Sequence, residues 1–347
     1  MKMSVIKINK HIFLLLLILV ISSGCTTLLP PEKPRTFLTD KDVGVAVLSP
    51  DNQTVVFSLD SVLYKVNLEG TEPVALDNGS HRNFDPAFSP DGSKIVFCHS
   101  ENQGDICVIN LDGSGRVCLT SGMEHDFEPV YTPDGSKIYF LRAKVFRNYS
   151  PIARPAWHDV DIYSINADGS GLKRITNNEY CGLSDLSINP EGDTLMVKGC
   201  VVNEEMSSIW MIPINDPTNL KTIKPDLSQY LKNRILLGPE QLDYRYLRNP
   251  RLSPDGTHVL FVWPNHRGVY LMDLKTNNID EIWTWKDDEK QIGAMHPRFS
   301  EDGRQVIFST LKTCMNCDMK IPWRIRKDPE LWIINADGTD LRSVEIK

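Results

Sequence analysis

Short apolar runs introduced by the same turn signal recur along most of the chain. Lys94-Ile-Val-Phe97, Lys137-Ile-Tyr-Phe140, His258-Val-Leu-Phe261 and Gln305-Val-Ile-Phe308 each follow such a turn. The turns read Ser49-Pro-Asp-Asn52, Ser89-Pro-Asp-Gly92, Thr132-Pro-Asp-Gly135, Asn189-Pro-Glu-Gly192, Ser253-Pro-Asp-Gly256 and Ser300-Glu-Asp-Gly303. Pro presets φ, Asp bonds the following backbone and Gly accepts positive φ, so each phrase encodes a tight reversal. An alternating segment comes next, such as Asp105-Ile-Cys-Val-Ile109, Asp161-Ile-Tyr-Ser-Ile165 or Glu330-Leu-Trp-Ile-Ile334. A second turn often closes it, as in Asn166-Ala-Asp-Gly169 and Asn335-Ala-Asp-Gly338, and a last short strand follows, as in Lys173-Arg-Ile-Thr176.

Each unit therefore predicts four antiparallel strands, a to d, and there are six units. Successive key turns lie 40, 43, 57, 64 and 47 residues apart, so insertions rather than missing units account for the uneven spacing. Four-stranded units repeated radially make a β-propeller. The predicted fold class is all-β: a six-bladed β-propeller of four-stranded antiparallel blades. The blades are placed at approximately 40–78, 79–121, 122–178, 179–228, 243–286 and 290–347. The stretches DPAFSPDGSKIVF…DICVINLDGSGRVCLT and EPVYTPDGSKIYF…DIYSINADGSGLKRIT resemble the repeats of the TolB-type propeller family, and the resemblance covers residues 35–347. TolB proteins carry an α/β domain before the propeller, which this chain lacks, so the resemblance does not by itself carry over a Tol–Pal role. Related propellers also accompany prolyl oligopeptidase-class peptidases, but no Gly-x-Ser-x-Gly elbow is present.

The amino terminus breaks the pattern. Lys2, Lys7 and Lys10 precede ten apolar residues, Ile12 to Ile21, and then Ser22-Ser23-Gly24-Cys25. A basic segment, a short apolar run and small residues before a cut site predict a secretory signal peptide over residues 1–24; ten residues are too few to span a bilayer. Gly24-Cys25 resembles a bacterial lipobox, although Ser22 stands where Leu is usual three residues before the cysteine. The resemblance implies lipidation of Cys25 and, with Thr26 following, sorting to the periplasmic face of the outer membrane. Residues 25–34, with Pro30-Pro31-Glu32-Lys33-Pro34, read as the lipidated cysteine and a stiff tether.

Charge excludes one class of partner. The whole chain carries −7, with 38 Lys plus Arg against 45 Asp plus Glu, and loss of residues 1–24 brings it to −10. That balance leaves no footprint for nucleic acid. Against this acidic background two stretches between strands b and c are basic: residues 142–158 and 312–327 each sum to +4. They lie on blades three and six, opposite each other in a ring of six. Both are expected to stand beside the channel mouth as basic, aromatic-bearing jaws. Arg147, Tyr149, Arg154, Trp157, Trp323, Arg324 and Arg326 are the candidate partner-binding residues, because Arg and aromatic side chains make rigid, bidentate anchors. An acidic protein surface or an anionic envelope glycan is the expected partner.

The d–a connections contribute the channel-mouth candidates His81, Arg82, His125, Asp126, Arg245, Arg248 and His296. Polygalacturonate-degrading lyases built on similar repeats hold a divalent metal in the channel with histidines. Here His81, His125 and His296 stand five, four and one residue before Pro86, Pro129 and Pro297, which implies different heights. The expectation is a scattered polar lining with no metal, no cofactor and no catalytic residue. The competing readings are a metal-dependent lyase or hydrolase acting on an acidic glycan, and a purely structural envelope protein. Among the cysteines, Cys98, Cys107 and Cys118 fall on adjacent strands b, c and d of blade two, where only one pair can bond. Cys181 with Cys200, and Cys314 with Cys317, are further candidate pairs. Finally, Arg35-Thr-Phe-Leu-Thr39 is expected to pair along the outer edge of blade six and close the ring.

Overall fold

A computed structural model describes residues 43–69, 72–77, 81–100, 103–147, 156–178, 180, 182–200, 208–225, 247–262, 268–284, 291–313 and 325–344. These residues form six four-stranded antiparallel sheets, each in the order a-b-c-d, arranged as the blades of a propeller. No helix occurs among the described residues. The a strands are Val43–Leu48, Arg82–Phe88, His125–Tyr131, Gly182–Ile188, Arg248–Leu252 and Gln291–Phe299. Strand d is short in five blades, only two residues at Val74–Ala75, Val117–Cys118 and Lys173–Arg174 and three at Lys221–Ile223 and Arg342–Val344. Blade six is thus completed by its own C-terminal strand, so residues 35–39 do not take that strand's place; any pairing beside it lies outside the described residues.

The key turns form because each is locally self-sufficient. In blade two the Ser89 hydroxyl donates to Asp91 (2.6 Å) and accepts from the Lys94 amide (3.0 Å). The Asp91 carboxylate also accepts from the Ser93 amide, and these bonds to the charged form hold Asp91 below the usual carboxylate range. Blade four has Asn189 in the serine position, and its amide oxygen takes the amides of Asp193 and Thr194 (3.0 and 2.9 Å). The glycine carries φ near +70° and lies against the proline of the preceding blade's turn: Gly92 on Pro50, Gly135 on Pro90, Gly192 on Pro133, Gly256 on Pro190 and Gly303 on Pro254. The repeat departs from this rule twice, with Asn52 in place of Gly in blade one and Glu301 in place of Pro in blade six. The two departures meet where the ring closes, and Asn52 Nδ2 donates there to Asp302 Oδ2 at 3.1 Å.

The core lies between blades. Five strand-b phenylalanines, Phe57, Phe97, Phe140, Phe261 and Phe308, are fully buried. Blade four has Val197 instead, and Trp210 occupies the space, with its ring 5.2 Å from Tyr180 and its edge against Gly199. The last interface packs Leu48, Val55 and Phe57 of blade one on Ile307, Leu331 and Ile333 of blade six, so apolar contact joins the two ends of the circle.

In blades three and six, strands b and c are unusually long. They run Lys137–Arg147 and Ala156–Asn166 in blade three, and Gln305–Thr313 and Ile325–Asn335 in blade six. Much of the presumed loop insertion in blade three, and both ends of that in blade six, are therefore continued two-stranded ribbon, paired out to Arg147↔Ala156 and Thr313↔Ile325. Disulfide pairing in blade two follows the pleat. Cys107 and Cys118 are bonded across strands c and d, whereas Cys98 is buried as a free thiol that donates to the Asp126 carbonyl (2.9 Å). Cys98 pairs with Ile106, one residue out of step with Cys107, and so faces the other side of the blade. Cys200 ends strand b of blade four; Cys181, Cys314 and Cys317 lie outside the described residues.

Candidate functional site

Every a strand breaks register with its b strand at the same place, four residues before the key turn begins. A bulge there turns one residue out of the ladder. In blades two to six that residue is Asp85, Glu128, Asp185, Asn249 and His296, all left-handed with φ from 49° to 64°. None is glycine. Holding a non-glycine residue in that region costs on the order of 1 kcal/mol or more, and such outliers gather where side chains have work to do. Blade one has Val45 at this position, with ordinary φ. Two residues further on, a second ring reads Val47, Ala87, Val130, Ser187, Arg251 and Arg298.

These rings build a charged channel. Glu128 accepts from the Leu186 amide of the next blade (3.0 Å), Asp185 from the Asn249 side chain (3.2 Å), and Asn249 from the His296 amide (3.3 Å). The bulge residues thus stitch blade to blade around blades three to six. Arg251 donates to the Leu186 carbonyl (2.9 Å) and lies 3.6 Å from Glu128 and 3.5 Å from Asp185. Burial, followed by the Asp185 charge, pushes Glu128 up to about 7 against the opposing pull of Arg251. Burial likewise raises Asp85, and it lowers Arg298 to about 9, with repulsion from Arg251 adding to it. A cavity of about 310 Å³ extends from the ring residues Asp85, Glu128, Arg251 and Arg298 to the key-turn prolines, among them Pro90 and Pro133. It therefore leads toward the a–b turns, the face opposite the b–c ribbons.

Of the channel-mouth candidates, only His296 sits on the bulge ring. His125 is stacked between Phe84 and Phe127, and burial lowers it to about 4, which keeps it neutral. Asp126 is not a channel group. It is buried in a two-pronged ion pair with Arg142, Nε to Oδ1 at 2.6 Å and Nη2 to Oδ2 at 2.7 Å. The same guanidinium lies over the rings of Phe140 and Tyr163, 5.5 and 4.9 Å from their centroids. Arg142 is thereby withdrawn from the basic stretch to which its position assigns it, and the free charge of that ribbon falls by one. His81 stands edge-on to His99, 5.1 Å between ring centres, and Arg82 and Arg248 are exposed. Buried His99 meets Asn83 Oδ1 at 2.7 Å through Nδ1 and receives the Arg116 guanidinium at 2.6 Å on Nε2, which places its proton on Nδ1.

Of the partner-binding candidates, Arg147 ends strand b of blade three, Trp157 stands opposite Phe146 near the start of strand c, and Arg326 stands opposite Lys312 in blade six. Tyr149, Arg154, Trp323 and Arg324, like Arg245, lie outside the described residues. Among the described residues no group of three or more His, Cys, Asp or Glu side chains is placed to hold a metal ion. Asp85, Glu128 and Arg298 lie in the d–a connections but are not among the candidates drawn from them, and Asp185 and Arg251 were not foreseen at all. Their common signal was the fixed distance from the key turn, together with a following proline in four of the five polar bulges.

No protein-family model matches the chain, and no curated protein matches it in sequence. Solved structures do match. TolB from Acinetobacter baumannii superposes with a TM-score of 0.54 at 18% identity, over 86% of this chain and 63% of that one. The fold is that of a TolB-like six-bladed β-propeller. The TolB-like propeller spans less than two thirds of that protein's length. A gluconolactonase from Xanthomonas campestris has a TM-score of 0.55 at 14% identity, covering 78% of this chain and 83% of its own. An oligogalacturonate lyase from Vibrio parahaemolyticus has 0.50 at 14% identity, covering 88% and 80%. At such identities the likeness establishes the fold alone, and function must be argued from the site.

Proposed function

We propose that the protein is a lipid-anchored propeller, held at Cys25 on the periplasmic face of the outer membrane, that binds an acidic partner and performs no chemistry of its own. The observation that carries this reading is the pair of long b–c ribbons. Among the described residues only blades three and six extend strand b past the length usual in this ring, and they are diametrically opposed. The basic residues of 142–158 and 312–327, apart from the buried Arg142, belong in sequence to the segments that join strands b and c there, in a chain that is otherwise acidic. Arg147, Tyr149, Arg154 and Trp157 on one ribbon, and Trp323, Arg324 and Arg326 on the other, form the two sides of the grip. The expected partner is an acidic protein surface or an anionic envelope glycan, attracted by charge and fixed by aromatic anchors.

The test is crosslinked capture from envelope preparations, comparing wild type with a variant carrying Ser in place of Arg147, Arg154, Arg324 and Arg326. The variant is expected to keep its thermal melt and lose the captured partner, and wild-type capture is expected to weaken as salt rises. Undiminished capture by the folded variant would move the binding face elsewhere.

A further inference from the structure

Blade one interrupts both rings of the channel. It carries Val45 and Val47 where every other blade has a polar group at the bulge level or the level below it. On either side of this apolar gap stand unlike charges, Asp85 on blade two and Arg298 on blade six, and all four residues line the cavity of about 310 Å³. The two charges attract each other through space but form no ion pair within 4 Å. Arg298 donates from Nη1 to the Pro297 carbonyl at 3.0 Å, and no carboxylate of the described residues comes within 4 Å of it. Arg251, by contrast, is engaged by two carboxylates and a carbonyl. A guanidinium enclosed by protein and lacking a carboxylate presents an unmet, bidentate demand for an anion. An enclosed Asp85 that hydrogen-bonds only to the Glu128 backbone, with Arg298 and Arg251 attracting it through space, presents the reverse demand, for a donor or a cation.

We propose that the channel holds a small zwitterionic ligand of the amino-acid or short-peptide class over blade one. Its carboxylate docks on Arg298, its ammonium faces Asp85, and its body rests on Val45 and Val47. The cavity is at the small end of the range that binds such ligands, so an amino acid or dipeptide fits it better than a polymer does. This site is separate from the b–c ribbons, since the cavity leads to the opposite face, and it does not depend on the partner proposed there.

Isothermal titration of the full-length protein with L-alanine, Ala-Ala, N-acetyl-Ala-Ala and Ala-Ala-amide tests the assignment. One of the two zwitterions is expected to bind at least tenfold more tightly than either capped peptide, and which of them binds distinguishes a free amino acid from a peptide. Arg298→Gln should weaken the preferred zwitterion at least tenfold. Asp85→Asn should remove its advantage over the acetylated form while leaving the advantage over the amide. Binding of both capped peptides within twofold of the tighter of the two zwitterions would overturn the proposal. So would the absence of saturable binding by either zwitterion to wild type at millimolar concentration, a result that does not depend on any variant folding.

Discussion

Glu128 gives the most informative perturbation of the channel. Its carboxyl lies among Asp185, Arg251 and the Leu186 amide, and burial pushes it from 4.5 to about 7. Because the folded-state value is raised, the folded protein binds more protons than the unfolded chain between those two values. Its stability therefore falls as pH rises from about 4.5 to about 7 and levels off above that. At 1.36 kcal/mol for each tenfold change in proton affinity, the full swing is roughly 3 kcal/mol. Glu128→Gln keeps an oxygen for the Leu186 amide and removes the titration. The assay is urea unfolding of both proteins at intervals from pH 4.5 to 8. Relative to wild type, the variant should gain roughly 2–3 kcal/mol across that window, most of it below pH 7, even though it loses its attraction to Arg251. Stability curves that stay parallel from pH 4.5 to 8 would refute the placement of Glu128 as a carboxyl buried beside a second acid.

Other perturbations test the scaffold. Arg142→Leu leaves Asp126 buried and unpaired, so it should cost about 3–5 kcal/mol in chemical unfolding, and adding Asp126→Asn should restore much of that. Gly199→Ala would set a Cβ 2.4 Å from Trp210 and 2.6 Å from Leu183, and overpacking of that kind should cost about 1–3 kcal/mol in the same assay. At the ring seam, Asn52→Ala should cost about 1–2 kcal/mol, from a left-handed residue without its bond to Asp302, while Asn52→Gly stays near wild type.

The blades were legible in the sequence because their signals are local. Ser-Pro-Asp-Gly satisfies its own hydrogen bonds within five residues, and a strand-b phenylalanine follows at a fixed distance, so each unit announces itself without reference to its neighbours. The charged channel was not legible in that way. Its members come one per blade, 43 residues or more apart, and only the shared bulge position relates Asp85 to Glu128 or Asn249 to His296. The residue types at that position differ from blade to blade, so no motif forms. The partnership of Arg142 with Asp126 was hidden for a related reason: the two residues face each other across strands a and b of one blade, and sequence position assigned them to different features. The ribbon in blade three looked like a loop because Arg142 and Lys144 dominate it. Arg142 is in fact buried on Asp126 and Ala143 beside it is fully buried, so the charged residues there belong to a strand.

The central claim is that a partner docks across the b–c ribbons, and site-specific photocrosslinking in intact cells tests it most directly. A photoreactive residue is placed at Tyr149 or Trp323, between strands b and c in sequence, and at Ser93 or Ser136 in the exposed key turns of the opposite face. The account predicts a discrete crosslinked species from both ribbon positions and none from the turns. Crosslinks from Ser93 and Ser136 with none from Tyr149 or Trp323 would contradict it.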